Sequence, residues 1–215
     1  MKSPIDLLML GFWYRNNKTY PTFTKKSEQN CFGFFYENTS FQLTKNTIFV
    51  ESINYLKNLC MALVYLGIGT NIGDKEANLN QAMIYLREEV GEIYNVSSFF
   101  TSKPWGFESE NNFSNAALLI NTELSPLKLL AEVKKIEKKM GRIYSQTHNY
   151  EDRIIDIDIL IYENLIINQP NLVVPQNLMA QREFVLVPLA EIAPDLVHPQ
   201  TKKTILQMRD ELKVN

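Results

Sequence analysis

Residues 152–162, DRIIDIDILIY, set two acids into an otherwise apolar run, and no other stretch constrains the fold as tightly. Isoleucine and leucine fill it as they fill a buried β-strand. Side chains alternate faces along a strand, so Asp156 and Asp158 share one face. Burying an unpaired carboxylate costs on the order of several kcal/mol, and two neighbours also repel. One reading is an edge strand whose acidic face is solvated. The other is a divalent cation, since Mg2+ takes one or two protein carboxylates and completes its shell with water and phosphate oxygens. The D-x-D spacing alone leaves both open. Arg142 and Arg153 bracket the loop entering the strand and offer fixed positive charge for phosphate oxygens. Acids and arginines in a water-poor cleft are the equipment of phosphoryl transfer, where catalysis is mostly positioning and charge neutralisation.

The neighbouring segments predict alternating strands and helices. Met61-ALVYLGIGTN reads as a buried strand running into a glycine turn. Asp74 can cap a helix carrying Leu79, Ala82, Met83, Leu86 and Val90 at helical spacing. YNVSSFF (94–100) and FSNAALLINTE (113–123) read as strands. Ser125-Pro126 opens a second helix, with Leu130, Val133, Ile136 or Glu137, and Met140 on one side and Gly141 as the stop. After the polar loop 142–151 and the acidic strand come FVLVPLAEI, a short apolar element, and TILQMRDELK, an amphipathic helix. Strands separated by helices suggest an α+β fold with a mostly antiparallel sheet.

Composition narrows the function classes. At 215 residues with net charge −2 and no long basic run, a nucleic-acid partner has little support. Cys31 and Cys60 are the two cysteines, too few for a disulfide framework and consistent with a reducing cytoplasm. No apolar stretch nears the roughly 20 residues that span a bilayer. Residues 1–60 carry 7 basic and 4 acidic residues, against 15 and 20 in 61–215. The composition break predicts an N-terminal extension over 1–60, disordered or accessory, and one main domain over 61–215. His148 and His198 have no partners at zinc-ligand spacing. TSKPWGF (101–107), with Phe113 and Asn115 beyond it, reads either as a packed turn or as a platform for a flat heterocycle, with aromatics for its faces and an amide for its edge.

Taken in order, YLGIGTNIGD, VSSFFTSKPWG with FSNAA, IEKKMGR, and DRIIDIDILIY followed by REFVLVPLAEIAPDLVHP resemble the 6-hydroxymethyl-7,8-dihydropterin pyrophosphokinase family of folate synthesis over residues 61–200. The resemblance implies a ferredoxin-like α/β/α fold with a central, mostly antiparallel sheet flanked by helices. It implies transfer of pyrophosphate from ATP to the pterin hydroxymethyl group, with two Mg2+ ions, in a cytoplasmic monomer without nucleic-acid or membrane partners. By position it implies Asp156 and Asp158 as metal ligands and Arg142 and Arg153 as catalytic arginines. ATP contacts fall on Glu137, Arg153, Ile159, Gln176 and Arg182. Pterin contacts fall on Ser102, Pro104, Trp105, Phe113, Asn115 and Phe184. Two departures stand out. Gln176-Asn177 occupies the place of an aromatic, histidine-containing stretch, and Tyr150-Glu151-Asp152-Arg153 stands where the family usually has W-G-P-R. The alternatives are a non-catalytic pterin- or nucleotide-binding relative, and a different two-metal nucleotidyl transferase or nuclease.

Overall fold

The computed structural model describes residues 61–143 and 151–214. The expectations for residues 1–60, and for most of the polar loop before the acidic strand, lie outside the described residues. The elements run β1 (Ala62–Thr70), α1 (Lys75–Glu89), β2 (Glu92–Val96), β3 (Phe100–Ser102), β4 (Phe113–Thr122), α2 (Pro126–Lys139) and β5 (Asp156–Tyr162). A small hairpin of β6 (Ile167–Gln169) and β7 (Leu172–Val174), then α3 (Glu183–Ile192) and α4 (Ile205–Val214), complete the described chain.

The main sheet has the order β2-β4-β1-β5, with β3 also paired to β4, and every pairing in it is antiparallel. That order and the βαββαβ connectivity are those of the split βαβ, ferredoxin-like arrangement, as the resemblance implied. Helices cover both faces. On one side Val64, Leu66, Ile68, Leu118 and Ile120 pack with Leu79 and Leu86 of α1 and with Leu129, Val133 and Ile136 of α2. On the other, Ala117, Leu160 and Ile161 pack with Val185, Leu186 and Leu189 of α3 and with Ile205 and Met208 of α4. Each fully buried leucine or isoleucine contributes roughly 2 kcal/mol, so the two clusters hold the central strands from both sides.

Local chemistry sets the helix ends. The Asp74 carboxylate accepts from the Ala77 amide at 3.0 Å and caps α1. Gly91 follows that helix where the chain crowds β4, and a Cβ there would lie 2.2 Å from the Asn121 carbonyl oxygen. α2 begins at Pro126, as expected, but no side-chain bond from Ser125 caps it. At its far end Gly141 takes φ +92°; its amide donates to Lys138 O and the Arg142 amide donates to Glu137 O, both at 3.0 Å. That paired closure is the Schellman motif, and it delivers Arg142 back alongside the helix. Thr204 and Gln207 cap α4 reciprocally, the Thr204 amide donating to Gln207 Oε1 at 2.9 Å and the Gln207 amide to Thr204 Oγ1 at 3.2 Å.

Two expectations need correction. The strand expected over 94–100 is two strands, β2 and β3, with a break at residues 97–99. There Ser97 exchanges bonds with Ala117, and the Ser98 amide and hydroxyl both donate to Glu191 Oε1. FVLVPLAEI, expected as a short apolar element without a stated type, is helical despite Pro188. The second correction concerns Gly67 and Gly69, which lie within β1 rather than in a turn; the turn follows at Asn71–Gly73.

Candidate active site

The glycines of β1 form the floor of a cleft on the α3 side of the sheet. In the antiparallel register Gly67 lies opposite Ala117 of β4 and Asp158 of β5, and Gly69 opposite Asn115 and Asp156. Residues directly opposite share a face, so two positions without side chains separate the carboxylates from the asparagine. A Cβ on Gly69 would lie 2.7 Å from Asn115 Oδ1, and one on Gly67 would lie 3.3 Å from Leu160 Cδ2. The i, i+2 spacing of the two glycines inside an apolar run is the signal that could have marked them as floor residues. Ser102, Trp105, Phe107, Phe113, Phe184 and Val185 line the cleft around this floor, with Arg153, Asp156, Asp158 and Arg182 at its charged end.

At the charged end Asp156 is held by both expected arginines. Its Oδ1 accepts from Arg142 Nη1 at 2.5 Å and its Oδ2 from Arg153 Nη1 at 2.8 Å. Burial would raise its pKa, but the two guanidinium charges more than offset this and hold the carboxyl below its ordinary range. Asp158 has weaker compensation. The nearest Arg182 nitrogen of its ion pair is 3.9 Å away. Burial, reinforced by the negative charge of Asp156, pushes Asp158 up to about 6. Two carboxylates on one face, one of them poorly neutralised, fit a hard cation that completes its shell with water and phosphate oxygens. Among the described residues no group of three or more His, Cys, Asp or Glu is assembled into a protein-only metal cage.

Glu137 lies behind β5 and is fully buried. Its Oε1 accepts the Ile157 amide at 2.7 Å and a bond from Arg142, and its Oε2 pairs with Lys134 at 2.8 Å. It thereby satisfies an amide on the open edge of β5 and orients Arg142 from behind the strand. The Ile159 side chain packs in the core on the face opposite the aspartates. The Gln176 side-chain oxygen accepts from the Leu178 amide at 3.0 Å, and its own amide donates to Leu160 O at 2.9 Å. None of these three side chains lines the cleft, nor does Pro104.

The heterocycle end is aromatic. Phe107 and Phe113 meet edge to face, with centroids 6.2 Å apart. The Arg182 guanidinium carbon lies 4.5 Å from the Trp105 ring centroid and 5.7 Å from that of Phe184. Arg153 lies 5.7 Å from the Phe113 ring. Asn115 Nδ2 donates to Ser102 Oγ at 3.0 Å and to Phe100 O at 3.2 Å, which fixes the amide and leaves its oxygen above Gly69. The site therefore unites Ser102, Trp105, Phe113, Asn115, Phe184, Arg153, Asp156, Asp158 and Arg182. Arg142 reaches it through Asp156. Phe107 lines the cleft as part of the aromatic 101–107 segment, whereas Gly67 and Gly69 are cleft residues that sequence reasoning missed.

Comparison with known proteins agrees with this architecture. The chain is 40% identical over 151 residues to the 2-amino-4-hydroxy-6-hydroxymethyldihydropteridine pyrophosphokinase of Aquifex aeolicus, covering 70% of this chain and 92% of that one. It is 44% identical over 138 residues to the enzyme of the same name from Methylorubrum extorquens, covering 64% and 86%. Among solved structures, the wild-type HPPK-DHPS of Plasmodium falciparum with pteroate matches with a TM-score of 0.58 at 16% identity. That likeness, which shows the fold, covers 70% of this chain and 44% of the Plasmodium chain; this chain thus corresponds to less than half of that protein. The family model described as 7,8-dihydro-6-hydroxymethylpterin-pyrophosphokinase matches residues 65–194, more than half of the sequence, and the chain belongs to that family.

Proposed function

We propose that the cleft binds ATP and 6-hydroxymethyl-7,8-dihydropterin side by side and transfers pyrophosphate between them. The pterin hydroxyl oxygen attacks the β-phosphorus of ATP, the bond from that phosphorus to the α-phosphate oxygen breaks, and AMP leaves. The hydroxyl proton passes to solvent, and the product is the pterin diphosphate. The observation that carries this reading is the juxtaposition, across the Gly67–Gly69 floor, of an aromatic slot with an amide edge and a pair of carboxylates flanked by arginines.

Phe113, Trp105 and Phe184 supply faces for the pterin ring, and Asn115 supplies an acceptor for its edge. Asp156 and Asp158 are the groups that would hold Mg2+, and two ions are in keeping with the large phosphate charge to be neutralised. Bound there, Mg2+ neutralises phosphate charge and orients the transferring group. Arg142 and Arg153 exchange part of their hold on Asp156 for phosphate oxygens, so the charge that develops on transfer meets guanidinium groups already in position. Glu137 and Ile159 bear on the nucleotide through the β5 backbone they fix, Arg182 lines the cleft end where ATP is assigned, and Gln176 acts from outside the cleft through its bond to the Leu160 backbone. Every group in this scheme comes from one chain, so the reaction on two small molecules requires no residue from a second subunit.

Measurement of AMP formed from ATP and Mg2+, with and without the dihydropterin, tests the reading. AMP release that depends on the pterin, with one pterin diphosphate per AMP, is expected. ATP breakdown indifferent to the pterin would refute it.

A further inference from the structure

We propose that Asp152 is a positioning residue, which clasps the aromatic loop 103–112 to the backbone carrying Arg153 so that both ends of the cleft are set as one unit. The proposal rests on the pyrophosphokinase reading above. Asp152 Oδ2 accepts from Asn111 Nδ2 at 2.7 Å, and its Oδ1 accepts from Asn71 Nδ2 at 2.7 Å. Asn71, buried just beyond β1, extends the link in both directions. Its Nδ2 also reaches Asn111 O at 3.3 Å, its Oδ1 accepts the Arg153 amide at 2.7 Å, and its own amide donates to Arg153 O at 3.2 Å. Ser109 adds a hydroxyl to the same carboxylate, and Lys75 Nζ, in the first turn of α1, holds Asn112 O at 2.9 Å.

The loop fastened in this way carries Trp105 and Phe107, which line the heterocycle end of the cleft. The backbone fastened to it carries Arg153, whose side chain holds Asp156. Asp152 lines neither end; it acts through both. Only a group with two acceptor oxygens and no donor suits the position, because two amide nitrogens converge on it. Hydrogen bonds from Ser109 and Asn111 hold its carboxyl below the ordinary range, which keeps it ionised and accepting. The W-G-P-R pattern has proline at this place, and a proline side chain offers no acceptor. The clasp is therefore a property of this sequence and not of the pattern.

The test uses the full chain with Asp152→Ala, Asn111→Ala and the double variant, and Asp152→Asn as the conservative change. Each alanine variant should lower kcat/KM for the pterin about tenfold, through kcat and pterin KM together, with ATP KM within about twofold. The double variant should be no worse than Asp152→Ala alone, because that change already removes the acceptor of the Asn111 link. Asp152→Asn keeps one acceptor and should fall between wild type and Asp152→Ala. A readout without turnover uses Trp13→Phe, which leaves Trp105 the single tryptophan of the two in the chain. In that background Asp152→Ala should make ligand-free Trp105 fluorescence more accessible to iodide. Kinetics unchanged from wild type, additive losses in the double variant, equal weakening of both substrates, or unaltered quenching would each overturn the clasp. Absence of pterin-dependent AMP from the wild type would instead overturn the pyrophosphokinase reading, while the quenching comparison would still judge the clasp.

Discussion

Asp156 and Asp158 stand one pleat apart on β5, yet their surroundings shift them in opposite directions. Two guanidinium groups keep Asp156 ionised, whereas burial and the neighbouring charge of Asp156 raise Asp158 to about 6 from an ordinary 3.8. The sign of the stability effect follows. A carboxyl whose folded pKa is raised favours the fold below its unfolded pKa, and that contribution is lost as pH rises through the folded value. The metal-free protein is therefore strained by Asp158 above about pH 6. Asp158→Asn should raise its stability at pH 7.5 by on the order of 1 kcal/mol, after discounting for a side chain open to solvent, and change it little at pH 4. Thermal melts without Mg2+ across that range measure the difference; a gain independent of pH would sink the assignment. The same variant should lose pyrophosphoryl transfer, and Mg2+ binding to the wild type should weaken as pH falls through 6. The arginines carry a separate expectation. Both already spend hydrogen bonds on Asp156, so ground-state ATP must compete for them, and their gain comes as charge develops. Arg142→Ala and Arg153→Ala should lower kcat by about a hundredfold or more while shifting ATP affinity only a few-fold, as calorimetry beside steady-state kinetics would show. A loss confined to ATP affinity would mean that they hold the ground state alone.

Within β1 the GIGT run serves a purpose that depends on register. Gly69 faces Asn115, and an added Cβ would come within 2.7 Å of its Oδ1; at Gly67 the nearest contact would be the flexible end of Leu160, at 3.3 Å. Asn115 cannot retreat without giving up Ser102 and Phe100. Gly69→Ala should therefore weaken pterin binding about tenfold or more with ATP binding near wild type, and Gly67→Ala should do markedly less. Equal pterin affinity in wild type and Gly69→Ala, by titration, would contradict the floor described for the cleft. Sequence alone revealed part of this. The D-x-D strand, the Asp74 cap and the Gly141 stop were legible because each depends on contacts within one turn or one pleat. Gly67 and Gly69 read as a turn because glycine beside Thr70 and Asn71 suits a turn equally well, and only the pairing with β4 and β5 decides. The structural role of Glu137 was not legible because its partners, the Ile157 amide and Arg142, meet it only once α2 is docked against the edge of β5 and its end turns back. The break between β2 and β3 depends on Glu191, 93 residues from Ser98, and local pattern carries no trace of it.

At the scale of the whole molecule, we expect residues 61–214 to form a domain that stands without residues 1–60. Both faces of the five-stranded sheet are covered by helices from within this stretch, and among the described residues the two apolar clusters run from Ala62 onward. All proposed ligands lie there too, and the family match spans residues 65–194. The Aquifex relative is matched over 92% of its length by 151 residues, so a chain far shorter than 215 residues suffices for that enzyme. Against this, residues 1–60 are rich in phenylalanine and tyrosine, and aromatic side chains that shield part of the domain would leave an exposed apolar patch on deletion. Candidate positions for such a patch exist, with Leu63, Ile72 and Tyr94 all exposed, but they lie on different elements, and singly scattered apolar residues are ordinary on a protein surface. We therefore expect a chain that starts at Met61 to fold cooperatively, with a Tm within a few degrees of full length, a shift worth less than about 1 kcal/mol. It should form AMP at the full-length rate in the presence of pterin, ATP and Mg2+. Scanning calorimetry and the AMP assay on the two chains side by side decide the matter, and aggregation or a large fall in Tm would make the first 60 residues part of the fold.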